Sequence, residues 1–159
     1  MFKEKLNRGI LEKKIEHQDK GIVFAQPLSM RKRILVADDD ESIRDILKII
    51  LEKAGYEVEL IDNGNDILKN NFFTPHLFLI DRLLSGSNGL AICKYLKSHK
   101  ATKNIPVVII SASTDLCRSS KEAGADDYIE KPFDMKHLLK IIEGHINPSK
   151  KSLLEKNNL

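Results

Sequence analysis

The sequence predicts an α/β protein with a doubly wound, five-stranded parallel sheet and about five helices. Three short apolar runs, at residues 34–37, 77–80 and 107–110, are typical of strands that are buried on both faces of a parallel sheet. Segments in which apolar residues recur with helical spacing lie between these runs, so strands and helices alternate along the chain. Right-handed crossovers then place helices on both faces, and ligands of such sheets bind at the carboxyl ends of the strands.

The first predicted elements are a strand, a helix and a second strand. Residues 34–37 form the strand and residues 42–54 form the helix, whose apolar residues we expect to face the sheet: Ile43, Ile46, Leu47, Ile50 and Leu51. Gly55 closes the helix as the residue after its C-cap. Residues 56–60 alternate between apolar and polar side chains, which is the pattern of a half-buried strand.

The second part of the pattern contains three more strands and three more helices. In chain order they are predicted at residues 77–80, 89–98, 107–110, 116–123, 128–130 and 135–146. The helix at 89–98 turns Leu90, Cys93 and Leu96 inward. The helix at 116–123 is short, and two consecutive serines within it weaken it further.

Charge divides the chain into an acidic body and basic ends. Residues 1–33 carry a net charge of +5, residues 34–147 carry −4 and residues 148–159 carry +2. We therefore predict a basic N-terminal extension over 1–32, disordered or acting as a linker, one folded domain over 33–147, and a short basic tail over 148–159. Since the net charge of +3 describes the ends, it does not indicate a nucleic-acid partner.

Composition excludes several classes of protein. The longest apolar run, residues 105–110, contains a proline and is far shorter than the roughly 18 residues of a membrane helix. Residues 1–20 lack the apolar core of a secretory signal. Two cysteines are too few for a disulfide scaffold, so we expect a cytoplasmic protein with reduced thiols and no membrane span.

Polar side chains stand where the predicted strands end. Asp38 and Asp39 follow the first strand, Asp81 the third, Ser111 the fourth and Lys131 the fifth. Parallel strands end at one edge of the sheet, so we expect these groups to converge. Clustered carboxylates repel one another, and Mg²⁺ relieves that repulsion because it prefers carboxylate oxygens, waters and a phosphate. Lysine and serine suit phosphoryl oxygens, so the pattern predicts a phosphoryl-binding site with a carboxylate nucleophile.

Some of these residues also have a purely structural interpretation. The acidic run at residues 38–41 is typical of a helix N-terminus, with Asp40 and Glu41 as the cap and the first turn. Ser111 fits an ordinary strand end, and Tyr128 fits core packing in a strand. The acidic run becomes a candidate site because Asp81 and Lys131 accompany it.

Four motifs occur in a characteristic order and spacing. They are Asp38-Asp39 after a Val-Ala strand end, Leu79-Ile80-Asp81 followed by Gly86-x-Asn88-Gly89, Ile110-Ser111-Ala112, and the segment Gly124–Phe133. Over residues 33–147 the chain thereby resembles the receiver domain of two-component response regulators. The resemblance implies the CheY-like, flavodoxin-like sheet with strand order 2-1-3-4-5.

The resemblance assigns a role to each matching residue of the acidic cluster. Asp81 would be the phosphoacceptor. Asp39, Asp81 and the backbone carbonyl of Leu83 would ligate Mg²⁺, with Mn²⁺ as an alternative ion. Asp38 would help to orient the metal, largely through water.

The remaining matches concern the phosphoryl group and the switch. Lys131 would pair with the phosphoryl group, and a cis peptide bond between Lys131 and Pro132 would aim the lysine at the site. Ser111 would donate a hydrogen bond to the phosphoryl group, and the small Ala112 would leave room for the phosphoryl oxygens. Tyr128 matches the switch aromatic, which turns inward when the serine moves. The α4-β5-α5 face, built from the fourth helix, fifth strand and fifth helix, would then change shape for a partner.

The resemblance also implies partners and a mode of action. A sensor histidine kinase or a histidine phosphotransfer protein would supply the phosphoryl group, and a downstream protein would recognise the switched face. The chain would act as a phosphoacceptor switch of a phosphorelay, with only self-phosphorylation and autodephosphorylation, as a monomer or a phosphorylation-dependent homodimer. Because few residues follow the last predicted helix, we expect a single-domain regulator and no nucleic-acid partner.

Three features depart from the common family pattern. Arg82 follows the acceptor where a neutral residue is frequent, and this cation would assist the phosphodonor or alter hydrolysis. Ser85 replaces a frequent proline, which loosens its loop. The stretch 111–128 is short, so we expect the fourth helix to be short or mobile.

Two other function classes compete with this interpretation. A phosphatase of the haloacid dehalogenase type needs a second aspartate two residues after the nucleophile, where this chain has Leu83. A flavin-binding domain needs a phosphate loop after the first strand, where Asp38-Asp39-Asp40 would repel a phosphate. A basic extension that contacts nucleic acid or a membrane surface is a further alternative.

Overall fold

The described part of the chain is built around a five-stranded parallel sheet. The structure, a computed structural model, describes residues 30–149. The strands, in chain order, are β1 Arg33–Ala37, β2 Glu57–Ile61, β3 Leu77–Asp81, β4 Val107–Ser111 and β5 Asp127–Glu130. Their spatial order is β2-β1-β3-β4-β5 and every neighbouring pair is parallel, which confirms the predicted doubly wound sheet. The expected extension over 1–29 and the tail over 150–159 lie outside the described residues.

Within residues 30–149 the first four of five helices connect these strands, and the fifth follows β5. They are α1 Glu41–Lys53, α2 Gly64–Leu68, α3 Gly89–Ser98, α4 Leu116–Glu122 and α5 Met135–Ile146. The bounds of α3 and α5 agree with the sequence prediction, and α4 ends one residue early. The short α2 was not delimited from sequence, because five residues are too few to show helical periodicity.

Alternate residues of each strand pack on opposite faces of the sheet. In β1, Ile34 and Val36 join one buried cluster while Leu35 and Ala37 join the other. The α1 and α5 residues that complete the first cluster are Leu47, Leu51, Leu138 and Ile142, and the second is completed largely from α2, α3 and α4. Burying each large aliphatic side chain contributes about 1.5–3 kcal/mol, so both helix layers are held firmly to the sheet.

Polar caps set where the helices begin. The side chains of Asp40, Asn88 and Asp134 each accept a hydrogen bond from a backbone N–H in the first turn of α1, α3 and α5. Gly55 follows α1 with a φ of 95°, as predicted for the residue after the C-cap. Within the described residues, no helix is long and apolar enough to cross a membrane.

One inward position of α1 was predicted wrongly. Ile46 is 54% exposed, whereas Leu47 and Leu51 are buried. The helix meets the sheet along the line through Leu47 and Leu51, and Ile46 lies about 100° around the helix from Leu47. Helical spacing identifies a broad apolar stripe, but only the packing of α1 decides which side of that stripe is covered.

Candidate functional site

Three carboxylates meet at the carboxyl edge of the sheet. Asp38 directly follows β1, Asp39 comes next, and Asp81 is the last residue of the adjacent strand β3. One carboxylate oxygen from each lies within 4.8 Å of the others. The structure therefore brings together the three acidic residues expected from sequence, because neighbouring parallel strands end side by side.

The ammonium group of Lys131 joins two of these carboxylates. Its Nζ lies 2.9 Å from Asp81 Oδ1 and 3.2 Å from Asp38 Oδ2. The backbone N–H of Lys131 donates to the carbonyl of Ser111 at 2.8 Å, which anchors the end of β5 to the end of β4. The bond between Lys131 and Pro132 is cis, as the resemblance implied. A lysine from the edge strand thus reaches the centre of the sheet.

Burial sets the electrostatics of this group. Asp38 is 2% exposed and Asp81 is 7% exposed. Burial raises the pKa of Asp81 above its usual value, although the hydrogen bond and charge of Lys131 oppose that rise. Burial alone would lower the pKa of Lys131, but its bonds to Asp81 and Asp38 outweigh burial and raise it. The ammonium is therefore charged at neutral pH and is the cation that balances the cluster.

Local hydrogen bonds fix the two residues after β1. Oδ1 of Asp38 accepts a hydrogen bond from the backbone N–H of Asp40 at 2.9 Å. The backbone carbonyl of Asp38 accepts another from Arg44 Nη1 at 2.7 Å. Asp39 is exposed, and its Oδ2 accepts from the hydroxyl of Ser85 at 2.8 Å. Sequence reasoning noted only that Ser85 replaces a proline that is frequent in the family, and predicted a less rigid loop. Its contact with the acidic cluster depends on how the loop after β3 folds back.

The loop after β3 forms a short hairpin. Leu83–Leu84 pairs antiparallel with Ser87–Asn88, and Gly86 between them has a φ of 71°. The N–H of Leu83 donates to Asp81 Oδ2 at 3.0 Å, while its side chain is 72% exposed. The predicted metal-binding carbonyl thus belongs to a residue that already contacts Asp81.

The donor set suits a hard divalent cation. Carboxylate oxygens are the ligands that Mg²⁺ prefers, and Mg²⁺ commonly keeps several waters beside one or two carboxylates. Asp39 is open to solvent, whereas Asp81 is buried and lies within reach of it. The residues present therefore fit the predicted ion, with room for water on the exposed side.

The hydroxyl residue lies at the same edge of the sheet, whereas the switch residue lies further back along β5, opposite Ile109 of β4. Ser111 ends β4 and is 4% exposed, and its Oγ accepts from the backbone N–H of Ser113 at 3.1 Å. Ala112, next along the chain, is exposed. Tyr128 lies in β5 and is half-buried; contact with the Cys117 thiol of α4 raises the pKa of its hydroxyl. Their roles toward a phosphoryl group and in switching stay predictions.

Gly89 allows α3 to begin directly against Asp81. A Cβ atom on Gly89 would lie 2.2 Å from the carbonyl oxygen of Asp81 and 3.0 Å from the Cα atom of Arg82. The N–H of Gly89 donates to the carbonyl of Arg82 at 2.9 Å. Sequence reasoning used Asn88-Gly89 as part of a receiver-domain motif and as the start of a helix, but it did not predict this close approach of two backbones, which leaves no local signal.

An ion pair beside the cluster was not anticipated. Nη1 of Arg82 lies 2.6 Å from Oδ1 of Asp115, the N-cap residue of α4. Sequence reasoning singled out Arg82 as unusual, but it gave no partner. The two residues are 33 positions apart, and only the parallel pairing of β3 with β4 brings them together.

The described histidines and cysteines take no part in the acidic cluster. His76, His99 and His137 are exposed, and Nε2 of His145 lies 2.9 Å from Asp127 Oδ2. Cys93 is buried, as expected, and Cys117 is partly exposed. His17 lies outside the described residues.

Comparisons with known proteins agree with this geometry. A family model described as "Response regulator receiver domain" matches residues 34–143. The chain is 40% identical over 114 residues to the DNA-binding response regulator MtrA of Mycobacterium tuberculosis, covering 70% of this chain and 49% of that protein. It is 38% identical over 126 residues to the phosphate regulon transcriptional regulatory protein PhoB of Escherichia coli, covering 75% and 55%.

A solved structure shows the same fold. The crystal structure of a putative response regulator from Chloroflexus aurantiacus matches with a TM-score of 0.68 and 31% identity, covering 73% of this chain and 98% of that chain. The chain spans about half the length of the curated relatives it matches, of which one is named as DNA-binding and the other as a transcriptional regulatory protein. The expectations of a single-domain regulator and of no nucleic-acid partner thus gain no support. The match over most of the described residues shows that this chain belongs to the response regulator receiver domain family.

Proposed function

We propose that Asp81 accepts a phosphoryl group and that the chain works as a phosphorylation-dependent switch. The observation that carries this proposal is the ammonium group of Lys131, which bridges Asp81 and Asp38 within an acidic cluster at the sheet edge. A lone structural ion pair would need only one carboxylate. Three clustered carboxylates with one cation favour a site that takes a metal and a phosphoryl group.

Mg²⁺ would be held by Asp39, Asp81 and the backbone carbonyl of Leu83, with Asp38 orienting it through water. Mn²⁺ is the alternative ion with similar ligand preference. When bound, the ion supplies positive charge to phosphoryl oxygens and offsets repulsion among the carboxylates. This assignment is supported by the oxygen-only donor set and by the solvent-open side at Asp39.

The chemical step is transfer to a carboxylate oxygen. An oxygen of Asp81 attacks the phosphorus of a phosphohistidine, the phosphorus–nitrogen bond breaks, and the imidazole leaves with a proton from solvent. Lys131 neutralises the charge on the phosphoryl oxygens, Ser111 donates a hydrogen bond to one of them, and the small Ala112 leaves space for them. The product is an acyl phosphate on Asp81.

The new group would shift the domain between two packings. The acyl phosphate carries about −1.5 to −2 charges where the carboxylate carried −1, and its phosphoryl oxygens draw Ser111 toward them. The space that Ser111 leaves is filled by Tyr128, and the α4-β5-α5 face changes shape. In the resting structure Ser111 is held by Ser113 instead, and Tyr128 is half-buried between the core and α4.

The partners follow from this chemistry. A sensor histidine kinase or a histidine phosphotransfer protein supplies the phosphoryl group, and a protein partner recognises the α4-β5-α5 face. The domain acts in the cytoplasm as a phosphoacceptor without turnover of a separate substrate. The monomer and the phosphorylation-dependent homodimer remain the two assembly states to distinguish.

Intact mass spectrometry after incubation with Mg²⁺ and acetyl phosphate tests the proposal. The wild type is expected to gain one phosphoryl group, Asp81→Asn none, and Asp45→Asn, which removes an exposed aspartate of α1, the same as the wild type. Gain by Asp81→Asn would contradict the assignment of the acceptor. Fluoroberyllate binding, followed by NMR, serves as a second readout if the donor reacts slowly.

A further inference from the structure

The loop that follows β4 is tied to the residue after Asp81. Nη1 of Arg82 and the hydroxyl of Ser113 both donate to Oδ1 of Asp115. The side chains of Arg82 and Asp115 are 21% and 43% exposed, so the pair is partly shielded from solvent. The Arg82 and Ser113 hydrogen bonds hold the pKa of Asp115 down to about 2, so this carboxylate is charged at neutral pH.

This tie continues to the hydroxyl that is expected to move. The backbone N–H of Ser113 donates to Ser111 Oγ at 3.1 Å. The N–H of Arg82 also donates to the carbonyl of Ile110 at 2.8 Å, which fixes the base of the arginine beside the end of β4. A continuous set of contacts therefore runs from Arg82 through Asp115 and Ser113 to Ser111.

The carboxylate of Asp115 does not cap helix α4, although Asp115 is the residue at the cap position. Asp115 is the N-cap residue of α4, yet its side chain accepts no cap hydrogen bond. By contrast, the cap residues of the other helices, Asp40, Asn63, Asn88 and Asp134, all accept one. An aspartate at this position normally stabilises the first turn by accepting a hydrogen bond from its backbone N–H groups, so the contact with Arg82 displaces a favourable alternative.

We propose that the Arg82–Asp115 ion pair is a strap that holds residues 112–115 in the resting arrangement, and that the phosphoryl group on Asp81 competes with Asp115 for the guanidinium. This inference rests on the proposed function and adds a device that regulates the same site. Arg82 is then a positioning residue, since it acts through Asp115 in the resting state.

The competition follows from charge and position. Arg82 directly follows Asp81, and its guanidinium shares Asp115 with Ser113, whose backbone N–H contacts Ser111. The proposed exchange requires the long arginine side chain to turn from Asp115 toward the phosphoryl group. A guanidinium pairs with phosphoryl oxygens through two parallel hydrogen bonds, which a single carboxylate oxygen of Asp115 does not match. Once released, Asp115 is free to cap α4, and Ser113 no longer holds Ser111. Phosphorylation therefore releases the loop at residues 112–115 and, at the same time, stabilises the first turn of α4.

Fluoroberyllate affinity in the presence of Mg²⁺ tests the strap in the full chain. Asp115→Asn keeps a good N-cap residue but removes the charge that holds Arg82. We expect this variant to bind fluoroberyllate about five- to tenfold more tightly than the wild type, within the usual range of coupling between sites. In an Arg82→Gln background the same substitution should have no effect, because the strap is already absent.

A spectroscopic signature separates the strap from general destabilisation. Without ligand, the backbone amide resonance of Ser113 in Asp115→Asn should move toward its position in the fluoroberyllate-bound wild type. Glu57→Gln removes one partner of another ion pair, Arg33–Glu57 at 2.8 Å, near the opposite edge of the sheet. This matched control should change neither the affinity nor the Ser113 resonance.

The outcomes distinguish the strap from the proposed function. If the wild type binds fluoroberyllate and Asp115→Asn binds it equally or more weakly, the strap is wrong and the function stands. Equal tightening by Asp115→Asn in the wild-type and Arg82→Gln backgrounds would also overturn the strap. A wild type that neither binds fluoroberyllate nor gains a phosphoryl group would overturn both.

Discussion

At the scale of single residues, Lys131 holds the site together. Its ammonium contacts two carboxylates that are almost fully buried, Asp38 and Asp81, and it is the cation that compensates them. Two buried carboxylates without a cation repel each other and lose the solvation that water would provide. The lysine therefore stabilises the resting protein as well as serving the proposed chemistry.

We predict that Lys131→Gln lowers the free energy of unfolding by about 1–3 kcal/mol in metal-free buffer at neutral pH, because it leaves buried charges unpaired. The loss should shrink as the pH falls, since burial already raises the pKa of Asp81 and protonation of Asp81 removes the repulsion between the two groups. Urea denaturation at several pH values measures this. Lys140→Gln, at an exposed lysine of α5, is the control. Equal stability of Lys131→Gln and the wild type would contradict the prediction.

The two thiols should differ in reactivity. Cys93 is fully buried, and burial raises the pKa of its thiol to about 11. A raised pKa keeps the thiol protonated until the pH approaches that value, so almost no thiolate exists near pH 8. We expect a thiol-specific reagent to modify the partly exposed Cys117 in the folded protein and Cys93 only after denaturation. Peptide mass spectrometry before and after urea treatment gives the result.

At the scale of elements, the start of α3 positions the acceptor. Gly89 lets this helix begin against the backbone of Asp81, where any side chain would collide with main-chain atoms. Main-chain atoms cannot move aside as a flexible side chain can, so the collision would displace either α3 or the end of β3. The position of the acceptor thus depends on a residue with no side chain.

Gly89→Ala is expected to destabilise the protein by about 1–3 kcal/mol, as overpacking does, and to slow phosphorylation by acetyl phosphate. Gly55→Ala provides the comparison. Gly55 has a positive φ, 95°, which disfavours a side chain, but a Cβ there would meet nothing within 4 Å. This glycine follows α1, remote from the acidic cluster. Gly55→Ala should lower the free energy of unfolding without slowing phosphorylation. A similar loss of rate in both variants would count against a local effect at Asp81.

The short helix α4 carries a polar atom that its packing does not satisfy. Among the described residues, the hydroxyl of Ser120 is the buried side-chain group without a hydrogen-bond partner. An unsatisfied buried hydroxyl costs about 1–3 kcal/mol. We therefore expect Ser120→Ala to raise the free energy of unfolding by about 1 kcal/mol, measured by urea denaturation. Ser119→Ala should not stabilise, because the Ser119 hydroxyl donates to backbone carbonyls of Asp115 and Leu116.

At the scale of the whole molecule, the sheet topology creates the site. The strands β1 and β3 are neighbours at the centre, although β2 lies between them in sequence. Their carboxyl ends therefore deliver Asp38 and Asp81 to one point, while β5 contributes Lys131 from the edge. The clustered carboxylates at this edge repel one another, so a cation that binds there should stabilise the folded protein.

Mg²⁺ should consequently stabilise the folded protein. At a free concentration ten times the dissociation constant, the expected gain is about 1.4 kcal/mol, because a ligand that binds only the folded state shifts unfolding by mass action. Thermal denaturation with and without a chelator measures this effect. Asp39→Asn should show a much smaller rise, and Asp45→Asn the full rise. A melting temperature of the wild type that does not respond to Mg²⁺ would contradict the metal assignment.

The sequence by itself determined the sheet and most of the candidate site. Apolar runs that end in aspartate, serine or lysine mark the strands and their carboxyl ends, and parallel pairing leaves one edge for those groups. Local signals were also sufficient for the cap at Asp40 and for Gly55, since both depend on neighbouring residues in the chain. Periodicity and capping are local properties, so they can be recognised without the fold.

The tertiary structure alone decided the contacts between residues that are distant in sequence. The exposure of Ile46, the pairing of Arg82 with Asp115, the bond from Ser85 to Asp39 and the close approach of Gly89 to Asp81 follow from how the elements pack. None of these has a repeating pattern, because each depends on the rotation of one element or the path of one loop. Residue types and spacing identify the chemistry, whereas packing decides which partner each group meets.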